Sequence, residues 1–190
     1  MRYCYIHGFN SGPKTSTLDA LRSVLGVEVF GLSYKSQFTY YQNIEKLSKQ
    51  ITDLREPCIL IGTSLGGFYA SRLLINYNVS GAVMFNPCNR PAEELQQFIG
   101  LNTNFSTGEQ YELTDYIVDT YSMATELDLR NVMKPKLVYL ANNDELINNT
   151  ESESYWNGYA QIEWFEGNHR VTDFSPFKDE ILSMEHLIYL

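Results

Sequence analysis

The 190-residue chain has no apolar run near the roughly 18 residues needed to cross a bilayer. Its opening, Met1-Arg2-Tyr3-Cys4-Tyr5-Ile6, is interrupted by His7-Gly8 too soon to act as a signal peptide, so a cytoplasmic chain is expected. Basic residues are few: 14 Lys and Arg stand against 23 Asp and Glu, a formal net charge of −9. That balance speaks against nucleic-acid partners, whose phosphates must be neutralised by many cations, and against docking on an anionic membrane. Cysteine is scarce as well. Cys4, Cys58 and Cys88 are odd in number and lack metal-ligand spacing, so three reduced, mostly buried thiols are expected. Neither a metal nor an organic cofactor is called for. Internal repeats, low-complexity stretches and linkers are also missing.

What is present is an ordinary globular composition, 44% hydrophobic, long enough for one substantial core. One domain over residues 1–190 is expected. Short apolar runs at Arg2–Ile6, Val27–Gly31, Cys58–Gly62, Ser80–Phe85, Lys136–Leu140 and Gln161–Phe165 read as strands. Between them, Pro13–Leu25, Tyr40–Leu54, Leu65–Tyr77, Pro91–Ile99 and Ser175–His186 read as helices. Such alternation predicts an α/β fold: a mostly parallel sheet of about six strands with helices on both faces. In these sheets the working residues sit on loops leaving the carboxyl ends of strands. Any candidate site residue should therefore follow a strand.

Gly62-Thr63-Ser64-Leu65-Gly66 matches G-x-S-x-G. Alone the match is modest, since a chain of this size meets it by chance roughly one time in fifteen. Here it leaves a predicted strand and opens a predicted helix, which is the setting of a nucleophile elbow. The tight turn requires small residues two before and two after the serine. It makes Ser64 the candidate nucleophile and puts the Leu65 N–H at a helix N-terminus, where an anion is favoured. Only three histidines compete for general base. His169 follows the last predicted strand, His186 lies inside the last helix, and His7 belongs to the first loop. His169 is the candidate. In this fold the acid falls between serine and histidine, after a strand. Asp144 fits, with Glu145 as the alternative. His7-Gly8-Phe9-Asn10-Ser11 follows the first strand, and its Phe9 N–H is expected to complete an oxyanion hole with Leu65. His7 is then structural, and Asn10 and Ser11 either hold the loop or touch substrate.

These stretches resemble a known family. His7–Ser11 and Gly62-Thr63-Ser64-Leu65-Gly66-Gly67-Phe68-Tyr69-Ala70 are similar to the H-G-F-N-S and G-S-S-L-G-G-Y-Y-A segments of the YqiA-like bacterial esterases. Asn86-Pro87 with Arg90-Pro91, and Thr107-Gly108-Glu109-Gln110-Tyr111, are similar to that family's N-P-x-x-R-P and T-G-Q-Q-Y. Asp144-Glu145 and Gly167-Asn168-His169 fall where the family has D-E and G-N-H. The resemblance implies a compact α/β-hydrolase with little or no cap, acting on short acyl esters, and supports Ser64, Asp144 and His169 by position. The chain departs from the family at Cys88, Asn89 and Arg170.

The expected activity is hydrolysis of short- to medium-chain acyl esters through an acyl-enzyme on Ser64, with a small-molecule ester as partner. A thioesterase or acyltransferase using the same triad, and a non-catalytic binding protein on the same scaffold, are the alternatives. Asn10, Tyr111 and Arg170 are the candidate substrate-binding residues, Arg170 for an anionic acyl group. Leu101–Tyr121 offers a pocket wall or small cap, and its Phe105, Tyr111, Tyr116 and Tyr121, with Tyr34, Phe38, Tyr40 and Tyr41, are expected to line an acyl pocket.

Overall fold

The computed structural model describes residues 1–125 and 129–187. In chain order the elements are β1 (Arg2–Ile6), α1 (Ser16–Leu25), β2 (Val29–Leu32), α2 (Tyr40–Asp53), β3 (Cys58–Thr63), α3 (Leu65–Leu73) and β4 (Val79–Phe85). Then come α4 (Pro91–Glu94), β5 (Gly100–Thr103), β6 (Gln110–Leu113), α5 (Asp115–Asp119), α6 (Ser122–Thr125), β7 (Lys136–Ala141), α7 (Asn149–Trp156), β8 (Gln161–Phe165) and α8 (Lys178–Leu187). Short 3-10 turns occupy Gln96–Phe98, Leu129–Asn131 and Ser175–Phe177.

Six strands form one sheet in the order β2-β1-β3-β4-β7-β8. Every neighbouring pair runs parallel. β5 and β6 make a separate antiparallel hairpin. Strand side chains alternate between the faces. Cys4, Ile6, Leu60, Met84 and Val138 join one core with Leu47 and Ile51 of α2, Phe68 and Leu73 of α3, Val118 of α5 and Trp156 of α7. Tyr3, Tyr5, Ile59, Ile61 and Val83 join the other, with Leu18 and Leu21 of α1 and Ile181 of α8. Burial on both faces explains why the central strands read as nearly continuous apolar runs.

Element ends differ from the sequence reading for local reasons. α1 begins at Ser16 and not Pro13, because Thr15 stays extended and its side chain caps Leu18 N–H. The Gly26 cap turns left-handed, and the strand starts only at Val29, paired with Tyr3. α3 stops at Leu73, beyond which Ile75 and Tyr77 point into solvent. Pro91–Ile99 divides into α4 and a 3-10 turn. The hairpin, α5, α6 and α7 are additional to the elements read from the sequence.

The order of the sheet matters for the site. Successive crossovers leave β1 in opposite directions, so the carboxyl ends of β1 and β3 flank the switch point, where ligands bind in open α/β sheets. His7 follows one of these strands and Ser64 the other.

Candidate active site

Ser64 sits between β3 and α3 with φ 53° and ψ −123°, a region that side-chain-bearing residues rarely occupy. The close approach around it explains two glycines. A Cβ at Gly62 would lie 2.3 Å from the Gly66 carbonyl oxygen, and one at Gly66 would lie 2.0 Å from that of Ile6. The Ser64 carbonyl accepts from the N–H groups of Gly67, Phe68 and Cys88 at 2.8, 3.2 and 3.1 Å, and the Ser64 N–H donates to Phe85 O at 3.0 Å. The turn is thus held from both sides while the side chain is left to the cleft.

The loop after β1 is built around a buried, neutral His7. Its Nδ1 donates to Gly8 O at 2.9 Å and its ring stacks on Tyr34 at 4.2 Å. Burial pushes its pKa down to about 4, partly offset by bonds to the Gly8 and Tyr34 backbone. Asn10 takes a left-handed φ of 54°. Its N–H donates to Ser36 Oγ at 3.0 Å, its side-chain amide donates to Asn102 Oδ1 at 3.1 Å, and its Oδ1 accepts from the Tyr111 hydroxyl. The side chain of Asn10 is therefore spent on the β5–β6 hairpin, although it borders the cleft. Among the described residues, the N–H groups of Phe9 and Leu65 donate to no protein acceptor.

Asp144 and His169 meet across the ends of β7 and β8. His169 Nδ1 lies 2.8 Å from Asp144 Oδ2 and 3.0 Å from Oδ1. The Asp144 side chain is 1% exposed and that of His169 12%. Asp144 Oδ1 also accepts from the N–H groups of Leu146 and Ile147 at 2.8 and 2.7 Å. Glu145 does something else: Oε2 accepts from the His169 backbone N–H at 3.0 Å. That bond lowers its pKa from the usual carboxylate value.

Two asparagines outside the sequence-derived set tie the arrangement together. Asn86, fully buried with φ 44°, donates its amide to Asn168 O at 3.2 Å and His169 O at 3.0 Å. Its Oδ1 accepts from Ala141 N–H at 2.8 Å and from the Asn149 amide at 3.1 Å. Asn149 in turn donates to Ala141 O at 2.9 Å and reaches Asp144 Oδ2 at 3.5 Å. The end of β4 thereby fastens both the loop with the acid and the loop with the imidazole. The signal for Asn86 was its place after a strand, in a residue type that tolerates left-handed backbone. Asn149 offered no such signal.

Ser64, Leu65, Phe9, Asn10, His169 and Arg170 border one cleft of about 990 Å3. Apolar side chains of Leu95, Phe98, Leu101, Ile147 and Val171 line it too, with Glu94 and Lys14 among the charged residues. Arg170 is exposed and donates to Ser16 Oγ at 3.4 Å. Tyr111 does not border the cleft; it stands behind Asn10. Of the aromatic residues expected to line an acyl pocket, only Phe105 does so. Tyr34 and Tyr121 are buried in the core, Tyr121 bonded to Tyr69 through their hydroxyls at 2.6 Å, while Tyr41 and Tyr116 face solvent. The aromatic rings of the cleft are instead those of Tyr5, Phe9, Phe98 and Phe105, beside its aliphatic side chains. Cys4, Cys58 and Cys88 are buried free thiols. Among the described residues no group of three or more His, Cys, Asp or Glu is placed to hold a metal ion, and no helix is long and apolar enough to cross a membrane.

The profile of the uncharacterised protein family UPF0227 matches residues 2–186. Solved structures share the fold at low identity. A monoacylglycerol lipase from Paleococcus ferrophilus superposes with a TM-score of 0.69 at 14% identity, covering 98% of this chain and 94% of the other. Est1E from Butyrivibrio proteoclasticus gives 0.73 at 15%, covering 97% and 88%. Mouse alpha/beta hydrolase domain-containing protein 10 gives 0.67 at 15%, covering 98% and 89%. The fold is that of the α/β hydrolases.

Proposed function

Because the chain belongs to the UPF0227 family, the YqiA-like proteins, on an α/β-hydrolase fold, we propose that it is a serine hydrolase cleaving short- to medium-chain acyl esters. The observation that carries this reading is the Asp144 carboxylate on His169 Nδ1, in the cleft that also receives the strained Ser64 turn. A pure binding site has no need of a carboxylate-anchored imidazole beside such a serine.

In the proposed reaction His169 Nε2 takes the Ser64 hydroxyl proton as Oγ attacks the ester carbonyl carbon. Asp144 holds the Nδ1–H tautomer and stabilises the imidazolium. The oxyanion is received by the uncommitted N–H groups of Phe9 and Leu65, the latter at the positive end of α3. Collapse breaks the carbon–oxygen bond, and His169 returns its proton to the departing alcohol. A water then attacks the acyl-enzyme with His169 again as base, releasing the acid and restoring Ser64. The apolar walls, aliphatic and aromatic, fit an acyl chain of modest length. Arg170, bonded among the described residues to Ser16 Oγ, is available to an anionic substituent.

The test is Ser64→Ala against p-nitrophenyl acetate, with fluorophosphonate labelling of the parent. A fall in kcat on the order of a million-fold and labelling confined to Ser64 are expected. Unchanged turnover in Ser64→Ala ends the reading. Competing alcohols and acyl thioesters, with product analysis, separate ester hydrolysis from acyl transfer and thioester hydrolysis.

A further inference from the structure

The cleft has two unlike walls, standing on opposite faces of the sheet. Leu95 belongs to the core on the α3 face, and Phe9 and Phe98 pack against that core with their rings 5.2 Å apart. Leu101 and Phe105 of the hairpin extend this apolar wall. The other wall starts from Tyr5, which belongs to the opposite core with Leu18 of α1. The Tyr5 hydroxyl lies 2.9 Å from Thr63 Oγ1. Lys14, Ser16, Thr17 and Arg170 border the cleft on the same side, beside Val171. Arg170 is held there by its bond to Ser16 Oγ at 3.4 Å. Burial raises the Tyr5 pKa, while hydrogen bonds to Thr63 and Thr17 and the charge of Arg170 act against it. Ser64, at the end of β3, opens between the two walls.

Lys14 and Arg170 are both exposed, and among the described residues neither makes an ion pair. The carboxylates that border the cleft are already engaged, Glu145 with the His169 N–H and Glu94 with the Arg90 N–H. In a chain of net charge −9, two such cations give the α1 wall the sign opposite to the molecule as a whole. An ester has two ends, and the proton path decides which of them meets this wall. His169 returns its proton to the departing alcohol, so the alcohol oxygen sits at the imidazole, and Arg170 is the next residue. We propose that Lys14 and Arg170 are specificity-determining residues that receive an anionic group, carboxylate or phosphate, carried by the alcohol half of the ester, while the acyl half lies on the apolar wall. The proposal rests on the serine-hydrolase reading. The Arg170 guanidinium offers a fork of donors that matches either anion, and Lys14 adds a second charge on a flexible stem. Two solvent-facing ion pairs together correspond to roughly five- to thirty-fold in kcat/KM.

Three matched pairs of esters read the charge and its position. Butanoyl glycolate against butanoyl glycolamide exchanges a carboxylate for an amide in the alcohol half. Butanoyl glycerol phosphate against glycerol monobutanoate places a phosphate there. Monomethyl succinate against methyl succinamate moves the carboxylate to the acyl half. The quantity compared is the ratio of kcat/KM for the anionic member to that for the neutral one, in the parent and in Lys14→Gln with Arg170→Gln; a loss common to both members cancels. For at least one alcohol pair the parent ratio is expected to exceed that of the double variant by about five-fold or more, and to shrink as sodium chloride is raised. Equal ratios in parent and double variant for both alcohol pairs overturn the proposal. So does a parent ratio indifferent to salt, or a change confined to the acyl pair. If Ser64 is not labelled by fluorophosphonate, the hydrolase reading itself has failed; a labelled Ser64 with unchanged ratios removes only the role of the two cations.

Discussion

Asp144 has little freedom to wander. Both its oxygens face the His169 ring, one of them also takes two backbone N–H groups, and the side chain is almost closed to water. Under the proposed mechanism Asp144→Asn keeps the shape but donates where it should accept, and a fall in kcat of about ten-thousand-fold is expected. Glu145→Gln, which keeps an acceptor for the His169 N–H, should cost less than about ten-fold. Steady-state kinetics on p-nitrophenyl acetate checks both, and the reverse ranking would exchange the two acids. Asn86→Ala removes four side-chain hydrogen bonds at a buried left-handed position. A loss on the order of 3 kcal/mol in urea unfolding is expected, with kcat falling more than KM rises. As candidates, Ser64, His169 and Asp144 stand out in the sequence because their surroundings are local: glycines at fixed offsets, and a strand just before each. Asn86 showed only as part of the Asn86-Pro87 motif, because the partners that give it a role lie 55 to 83 residues along the chain and only the assembled sheet brings them to it; Asn149 carried no signal at all.

Among the elements, the β5–β6 hairpin acts on the loop after β1. Asn102 and Tyr111 hold the Asn10 side chain, Phe105 N–H donates to Asn10 O at 2.8 Å, and Asn104 donates to Ser11 O at 2.9 Å. The segment expected to form a pocket wall or small cap therefore supports the loop that carries Phe9, and meets the cleft through Leu101, Asn102 and Thr103 and the turn residues Phe105 and Ser106. Tyr111→Phe should lower kcat by roughly ten-fold through a looser Phe9 N–H while KM changes little. A change confined to KM would instead make Tyr111 a substrate contact. The parallel strands were readable because double burial leaves a short, dense apolar run. The hairpin was not, since each of its strands has only 4 residues and half of those face water. α7 escaped notice for a similar reason: Asn149-Thr150-Glu151-Ser152-Glu153-Ser154 is polar nearly throughout, and only Ser152, Trp156 and Asn149 are buried.

For the whole molecule, the buried His7 links stability to pH. Its folded-state pKa, about 4, lies below the ordinary 6.5, so the unfolded chain binds a proton that the folded chain refuses. The contribution is fully present above pH 6.5 and is lost as pH falls toward 4. The difference amounts to roughly 3 kcal/mol across that window. Urea midpoints measured from pH 7 to 4 should fall accordingly, and His7→Phe, which keeps a ring against Tyr34 but cannot titrate, should flatten the slope. The strand order itself was beyond the sequence, because alternation specifies layers but not which neighbours pair.

The two tryptophans of the chain occupy contrasting places. Trp156 is 1% exposed and its indole donates to Asn89 Oδ1 at 2.9 Å, deep in the packed interior. Trp164 is 40% exposed on β8, the strand that leads to His169. Nature has thus supplied a pair of internal fluorophores. Iodide should quench Trp164 and spare Trp156, so a difference in emission between quenched and unquenched samples reports ligand-induced rearrangement at the imidazole end without any attached dye.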